Sequence, residues 1–192
     1  MKRSKSETAL LAAGKKLFWK HGMRRVSVEE VCEEAGVSKM TFYRKFPHKY
    51  DLTMQLLEEM ISRSMENYNE TMQSDLEYSQ KILRIIENKQ KEAKEISMEL
   101  VKDIYSGGDD YKELRSFMEQ HQVQFMERLR KDFALAQNQG HIRSELKVDF
   151  IIHLLHSMSR LTEDAILLGM YDDLSDLSRD LTNVFFYGIT KR

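Results

Sequence analysis

Apolar residues recur at intervals of three and four along most of the chain, the periodicity of helices that bury one face. The first such run, Ala9, Leu10, Ala13, Leu17 and Phe18, lies between Thr8 and His21 and predicts a helix that stops at Gly22. "SVEE" then offers Ser27 as an N-cap and Glu30 three places on to bond back, a capping box that starts a short second helix running through Ala35. Gly36 permits the positive φ that ends it, Val37 can plug inward, and Ser38 is placed to cap a third helix. Two helices joined by so short a glycine-bearing turn cross steeply, the helix-turn-helix geometry that lays its second helix in a DNA major groove.

The third helix divides into two faces. Phe42 and Phe46 lie four apart and should pack on the two preceding helices, whereas Lys39, Met40, Tyr43 and Arg44, with Thr41 at the edge, are left outward. That outward set combines phosphate and base-edge donors with apolar reach for a thymine methyl. Pro47 closes the helix, because it disfavours helical geometry in the residue before it. Lys49 sits where the next helix starts, and free N–H groups there suit a phosphate.

Beyond Asp51 there is no proline, and the pattern predicts long helices. Leu52, Leu56, Leu57, Met60, Ile61, Tyr68 and Met72 mark a fourth helix that joins head to body; Leu83, Ile86, Ala93, Leu100 and Ile104 mark a fifth. After a loop at Gly107–Asp110, Met118, Phe125, Leu129, Phe133 and Ala136 form another stripe that stops near Gly140. Val148 to Leu168 carries Ile151, Leu155, Met158, Leu161 and Ala165 on one side, and the last segment carries Leu174, Leu177, Leu181, Val184 and Phe185. Both segments have surplus apolar surface, which suggests self-association through Ile151, Leu155, Met158, Leu177, Leu181 and Phe185, the alternative being burial inside a larger monomer. The fold class expected is all-α: a three-helix head followed by a larger helical bundle.

Charge sharpens the picture. Residues 1–50 hold 12 Lys and Arg against 5 Asp and Glu, although the 192-residue chain as a whole has a formal net charge of −1. A basic head on an acidic body points to a polyanionic partner. The single cysteine, Cys32, excludes an internal disulfide and a multi-thiolate zinc site, and its apolar neighbours predict a buried thiol. No run of about eighteen apolar residues is present, so a cytoplasmic protein that does not enter the membrane is expected.

Taken together, "AAGKKLFWKHG", "VSVEEVCEEAGVSKMTFYRKF" and "HKYDL" resemble the DNA-binding head of the tetracycline-repressor (TetR-like) family of bacterial transcription regulators. The resemblance covers about the first fifty residues and implies a domain boundary there: residues 1–50 for DNA, residues 51–192 for effector binding and dimerisation. It also implies a homodimer on a near-palindromic double-stranded operator, with contacts from the positions of Ser27, Ser38, Lys39, Met40, Thr41, Tyr43, Arg44 and Lys49. Met40 departs from the small residue usual in the family, and His48 departs from the usual serine-like cap.

The body offers Tyr78, Met98, Tyr105, Phe117, Phe125 and Met158 for an adaptable apolar cavity, with His121, His153 and His156 as polar candidates. Asp149, His153 and His156 fall at helical spacing, too sparse a set to predict a metal, and nothing in the sequence asks for a cofactor. An enzyme is disfavoured because no glycine-rich phosphate loop, nucleophile motif or metal cluster stands out. The expectation is a small-molecule-responsive regulator that acts as a repressor; the alternative is a DNA-binding adaptor whose body binds another protein.

Overall fold

The computed structural model describes residues 3–190, apart from the side chains of Thr162, Glu163 and Ala165, so the Ala165 position of the predicted stripe lies outside it. Among the described residues the α-helices follow in the order α1 (Lys5–His21), α2 (Val28–Ala35), α3 (Lys39–Lys45), α4 (Lys49–Gln73), α5 (Tyr78–Glu95), α6 (Met98–Ser106), α7 (Lys112–Asn138), α8 (Val148–Ser159), α9 (Ala165–Leu168) and α10 (Leu174–Ile189). Short 3-10 turns precede α7 and follow α8, and among the described residues the only β-type pairing is one isolated bridge between Ile142 and Thr190. The all-α expectation stands. No described helix is long and apolar enough to cross a membrane.

The chain forms two compact units, one built from the segment up to Met65 with Glu95–Phe117, the other from Glu66–Lys94 with the segment from Met118 onward. The boundary expected after residue 50 therefore falls in the first turn of α4, and the first unit takes in α6 as well as the three-helix head. The fifth helix of the sequence reading is also two helices. Its apolar spacing runs unbroken through the interruption, but Ser97 accepts a hydrogen bond from the Leu100 N–H at 3.2 Å and starts α6. The Ser97 N–H in turn donates to the Trp19 carbonyl at 2.8 Å, so α6 lies along α1 with Leu100 and Ile104 buried.

In the first unit the core is Leu10, Phe18, Met23, Phe42, Leu52, Leu57, Leu100 and Leu114. Gly14 lets α1 and α4 approach closely: a Cβ there would meet Leu52 Cδ2 at 2.3 Å. The second unit has its own core, built around Tyr68, Ile82, Leu129, Phe133, Ile151 and Phe185. Its C-terminal helix is pinned by the Arg143 N–H, which donates to the Ile189 carbonyl at 3.0 Å beside the Ile142–Thr190 bridge.

The segment from Val148 to Leu168 does not stay one helix. Asp164 accepts from the N–H groups of Ile166 and Leu167 at 2.8 and 2.9 Å and so begins α9 after the 3-10 turn. The self-association stripe needs a correction too. Ile151, Leu177 and Phe185 are buried inside the chain's own core, and the half-buried Leu155, Met158 and Leu181 line a partly open cavity of the same unit. A stripe at helical spacing reports that a face is covered without reporting what covers it. The apolar side chains left exposed on these two helices are instead Phe150 on α8 and Val184 and Tyr187 on α10.

Candidate nucleic-acid interface and body cavity

The head assembles its outward helix from local rules. Ser27 accepts from the Glu30 N–H at 3.2 Å while the Glu30 carboxylate accepts from the Ser27 N–H at 2.7 Å, which completes the capping box of α2. Those bonds hold the Glu30 carboxyl below its usual range. Gly36 closes α2 in the left-handed region at φ 64°, and its N–H and that of Val37 satisfy the last carbonyls of the helix. Ser38 caps α3 through the Thr41 N–H at 3.2 Å, and its hydroxyl lies 3.1 Å from that of Thr41.

With Phe42 and Phe46 buried, α3 can present only its other face. Lys39, Met40, Tyr43 and Arg44 are exposed there, Met40 at 80% and Tyr43 at 53%. The Tyr43 ring meets the Phe42 ring edge-on at 5.4 Å, which orients the phenol away from the core. Lys39 pairs with Glu29 of α2, and each raises the stability of the other's charged form: the carboxyl is pulled down and the ammonium pushed up by this contact.

Ser27 and Ser38 both spend their hydroxyls on capping, so any contact to a duplex must share those groups. The initiation of α4 replaces the missing serine-like cap differently. His48 is exposed, and its N–H donates to Asp51 Oδ2 at 2.7 Å, the return half of a capping box.

Lys49 differs from expectation. Its ammonium does not stand free at the helix start; it donates to the Met23 and Val26 carbonyls at 2.8 and 3.1 Å, and burial pushes its pKa down. It thereby ties α4 to the α1–α2 loop that leads into the Ser27 cap. Lys49→Met should lower stability by about 1.5–3 kcal/mol, the range for hydrogen bonds to a charged group. In DNA titrations the same variant should keep the parent's slope of affinity against salt, whereas loss of a phosphate contact would reduce it by about 0.9 per subunit.

The second unit contains an apolar cavity of about 150 Å³. Tyr68 and Met72 of α4, Tyr78, Ile82, Ile85 and Lys89 of α5 form one side. Phe125, Leu129 and Phe133 of α7 face them, and α8 and α10 close it with Leu155, Met158, Leu181 and Phe185. Burial pushes the Tyr78 phenol up to about 12, and burial with the neighbouring Asp132 pushes Tyr68 further still, so both stay protonated. The Tyr68 hydroxyl donates to Asp132 Oδ2 at 2.9 Å.

Of the effector candidates, Phe125 and Met158 line this cavity together with Tyr78. Met98, Tyr105 and Phe117 belong to the other compact unit, and His121 and the exposed His153 do not line it either. Asp149 is paired with Arg130, and among the described residues no three metal-ligating side chains converge. The charged lining residue, Lys89, had no sequence signal because it sits in the highly charged run "ENKQKEAKE", which reads as a solvated face.

Residues 10–56 match the family described as "Bacterial regulatory proteins, tetR family". Among curated proteins, the HTH-type transcriptional regulator EthR of Mycolicibacterium smegmatis is 29% identical over 68 residues, 35% of this chain and 31% of that protein. The chain thus aligns with less than a third of that relative's length. Whole-length likeness is found among solved structures. The fatty acid degradation regulator FadR of Bacillus halodurans superposes with a TM-score of 0.73 at 16% identity over 98% of both chains. A putative transcriptional regulator of Saccharomonospora viridis, solved in complex with choline, gives 0.74 at 17% identity over 99% of this chain and 100% of that one. Regulatory protein TetR of Rhodobacter sphaeroides gives 0.71 at 18% identity over 97% and 100%. At these identities the structures establish a shared all-helical fold, and the family match lies in residues 10–56, the segment that carries the helix-turn-helix.

Proposed function

We propose that the protein works as a homodimeric repressor, gripping a near-palindromic operator with α3 of each subunit and leaving it when a small molecule fills the body cavity. The observation that carries this reading is the division of α3, with Phe42 and Phe46 locked into the core and Lys39, Met40, Tyr43 and Arg44 turned outward. Thr41, half-buried beside the Ser38 cap, borders that face. The apolar cavity supports a small-molecule effector over a protein-binding adaptor, and a choline complex of a protein with this fold is in line with it. Since α4 and α7 contribute to both compact units, a ligand that prefers one arrangement of them can shift the population competent for DNA.

Two copies place two recognition helices on successive major grooves, about 34 Å or a multiple of it apart. The surface we assign to the second copy is the exposed apolar part of α8 and α10, Phe150, Val184 and Tyr187. Val184→Glu should convert the dimer to a monomer in sedimentation and reduce operator affinity to that of a single half-site. A dimer unchanged by this substitution places the interface elsewhere.

Selection of bound sequences from a random duplex pool tests the whole reading. The selected DNA should be an inverted repeat, and Met40→Gly should alter which bases are preferred in each half-site, because an exposed thioether reaches base edges and not phosphates. Asymmetric winners would remove the twofold mode of binding, and a uniform affinity loss for Met40→Gly would remove its base-reading role.

A further inference from the structure

The polar groups lining the cavity of the second unit are largely committed to the chain itself. The Tyr68 hydroxyl donates to Asp132 at 2.9 Å, the Ser159 hydroxyl to the His156 carbonyl at 2.7 Å, and the Thr182 hydroxyl to the Ser178 carbonyl at 2.5 Å. Lys89 is engaged as well. Its ammonium pairs with Glu92 at 3.2 Å and lies 5.8 Å over the Phe125 ring, and its side chain is 41% exposed, so its charge belongs to the solvated rim. A guest oxygen would have to break one of these bonds or reach the Tyr78 phenol, whose ring stacks on His141 at 4.7 Å.

What remains is apolar wall. Tyr68 meets Phe125 edge-on at 5.3 Å between ring centroids, Phe186 meets Phe185 edge-on at 5.3 Å, and Phe133 is tilted against Phe185 at 6.1 Å. Rings that brace one another in this way present fixed faces and edges to whatever lies between them. Volume sets the scale: an apolar cavity of about 150 Å³ stays dry and admits benzene.

We propose that this cavity takes a neutral molecule the size of one six-membered ring, such as a monocyclic arene, held by contact with the aromatic walls. This names the ligand class for the effector reading given above and rests on it. Charge of either sign is selected against. A carboxylate drawn to Lys89 would compete with Glu92 for the ammonium and surrender its own hydration. A cationic head would lose its water among apolar side chains, because no carboxylate is among the described residues that line the cavity. Size is selected too, since any part of a guest that outgrows the cavity leaves its apolar surface in water.

Calorimetric titration of the full-length protein with toluene, naphthalene, benzoate and benzylammonium tests the assignment. Toluene should bind at least about ten-fold more tightly than either ion. It should also bind more tightly than naphthalene, and Met158→Ala, which widens the cavity, should reverse that order. Leu155→Phe and Leu181→Phe each add volume at the wall and should each remove toluene binding, with cooperative thermal unfolding identifying the variants that are folded. Toluene affinity that survives in a folded filled variant would overturn the site, and naphthalene preferred by the parent would overturn the size limit. Benzoate or benzylammonium equal to toluene would overturn neutrality. Adding each probe to the complex with the selected duplex separates this proposal from the effector reading. Release by an ion and not by toluene would sink the ligand class and leave the effector reading standing. Toluene bound in the cavity with DNA affinity unchanged would do the reverse, and failure of all four probes to bind would remove both.

Discussion

Phe42→Ala is expected to destabilise the first compact unit by about 3–5 kcal/mol, the range for removing a large aromatic from a core. Phe42 is fully buried, packs on Phe46 at 5.9 Å between centroids, and carries the Tyr43 ring on its other flank. A loss of that size is a large part of the roughly 5–15 kcal/mol that holds an ordinary domain folded. Urea titration should show a lower midpoint with little change in slope, and DNA binding should disappear at temperatures where the parent still binds. Tyr43→Ala provides the contrast: the ring is half exposed, so stability should move by no more than about 0.5 kcal/mol, while operator affinity falls. Equal stability losses from the two substitutions would mean that α3 is not anchored through Phe42.

The largest expected effect on binding comes from removing both cations of the outward face. In a dimer, Lys39→Ala with Arg44→Ala deletes four positive charges, so the slope of log affinity against log salt should flatten by about three to four, at about 0.9 per phosphate contact. Affinity at moderate salt should fall on the order of 100-fold or more, for operator and unrelated duplex alike, because phosphate contacts carry no sequence information. Losing Lys39 also leaves the Glu29 carboxylate without the ammonium it pairs with in the structure, and that carboxylate then faces a polyanion. Filter binding across a salt series measures both quantities. An unchanged slope would show that these side chains do not meet the backbone of the duplex.

Much of the head was legible because its determinants are local. The Ser27–Glu30 box, the left-handed Gly36, the Ser38 cap and the Phe42–Phe46 pair each lie within a few residues of the structure they set, and each appears where the spacing indicates. Lys49 shows the opposite case. Its carbonyl partners lie 26 and 23 residues earlier in the chain, and no periodicity announces a bond across that separation. The break between α5 and α6 was hidden by apolar positions that stay in register on either side of Ser97 although they serve different cores. In the body, the stripes of α8 and α10 correctly indicated buried faces. Ile151, Leu177 and Phe185 are covered by the chain itself, and only coordinates separate a cavity wall from a contact with a second copy.

The return of Glu95–Phe117 to the first compact unit bears on how the protein can be dissected. An excised N-terminal fragment ending near residue 50 would lack Leu100, Ile104 and Leu114, and would open the side of α1 that α6 shields, including the Trp19 carbonyl that receives the Ser97 amide. Such a fragment should be poorly folded in isolation even though every groove-facing residue is present, so duplex recognition by this chain depends on a stretch of sequence that no reader of the recognition helix would think to keep.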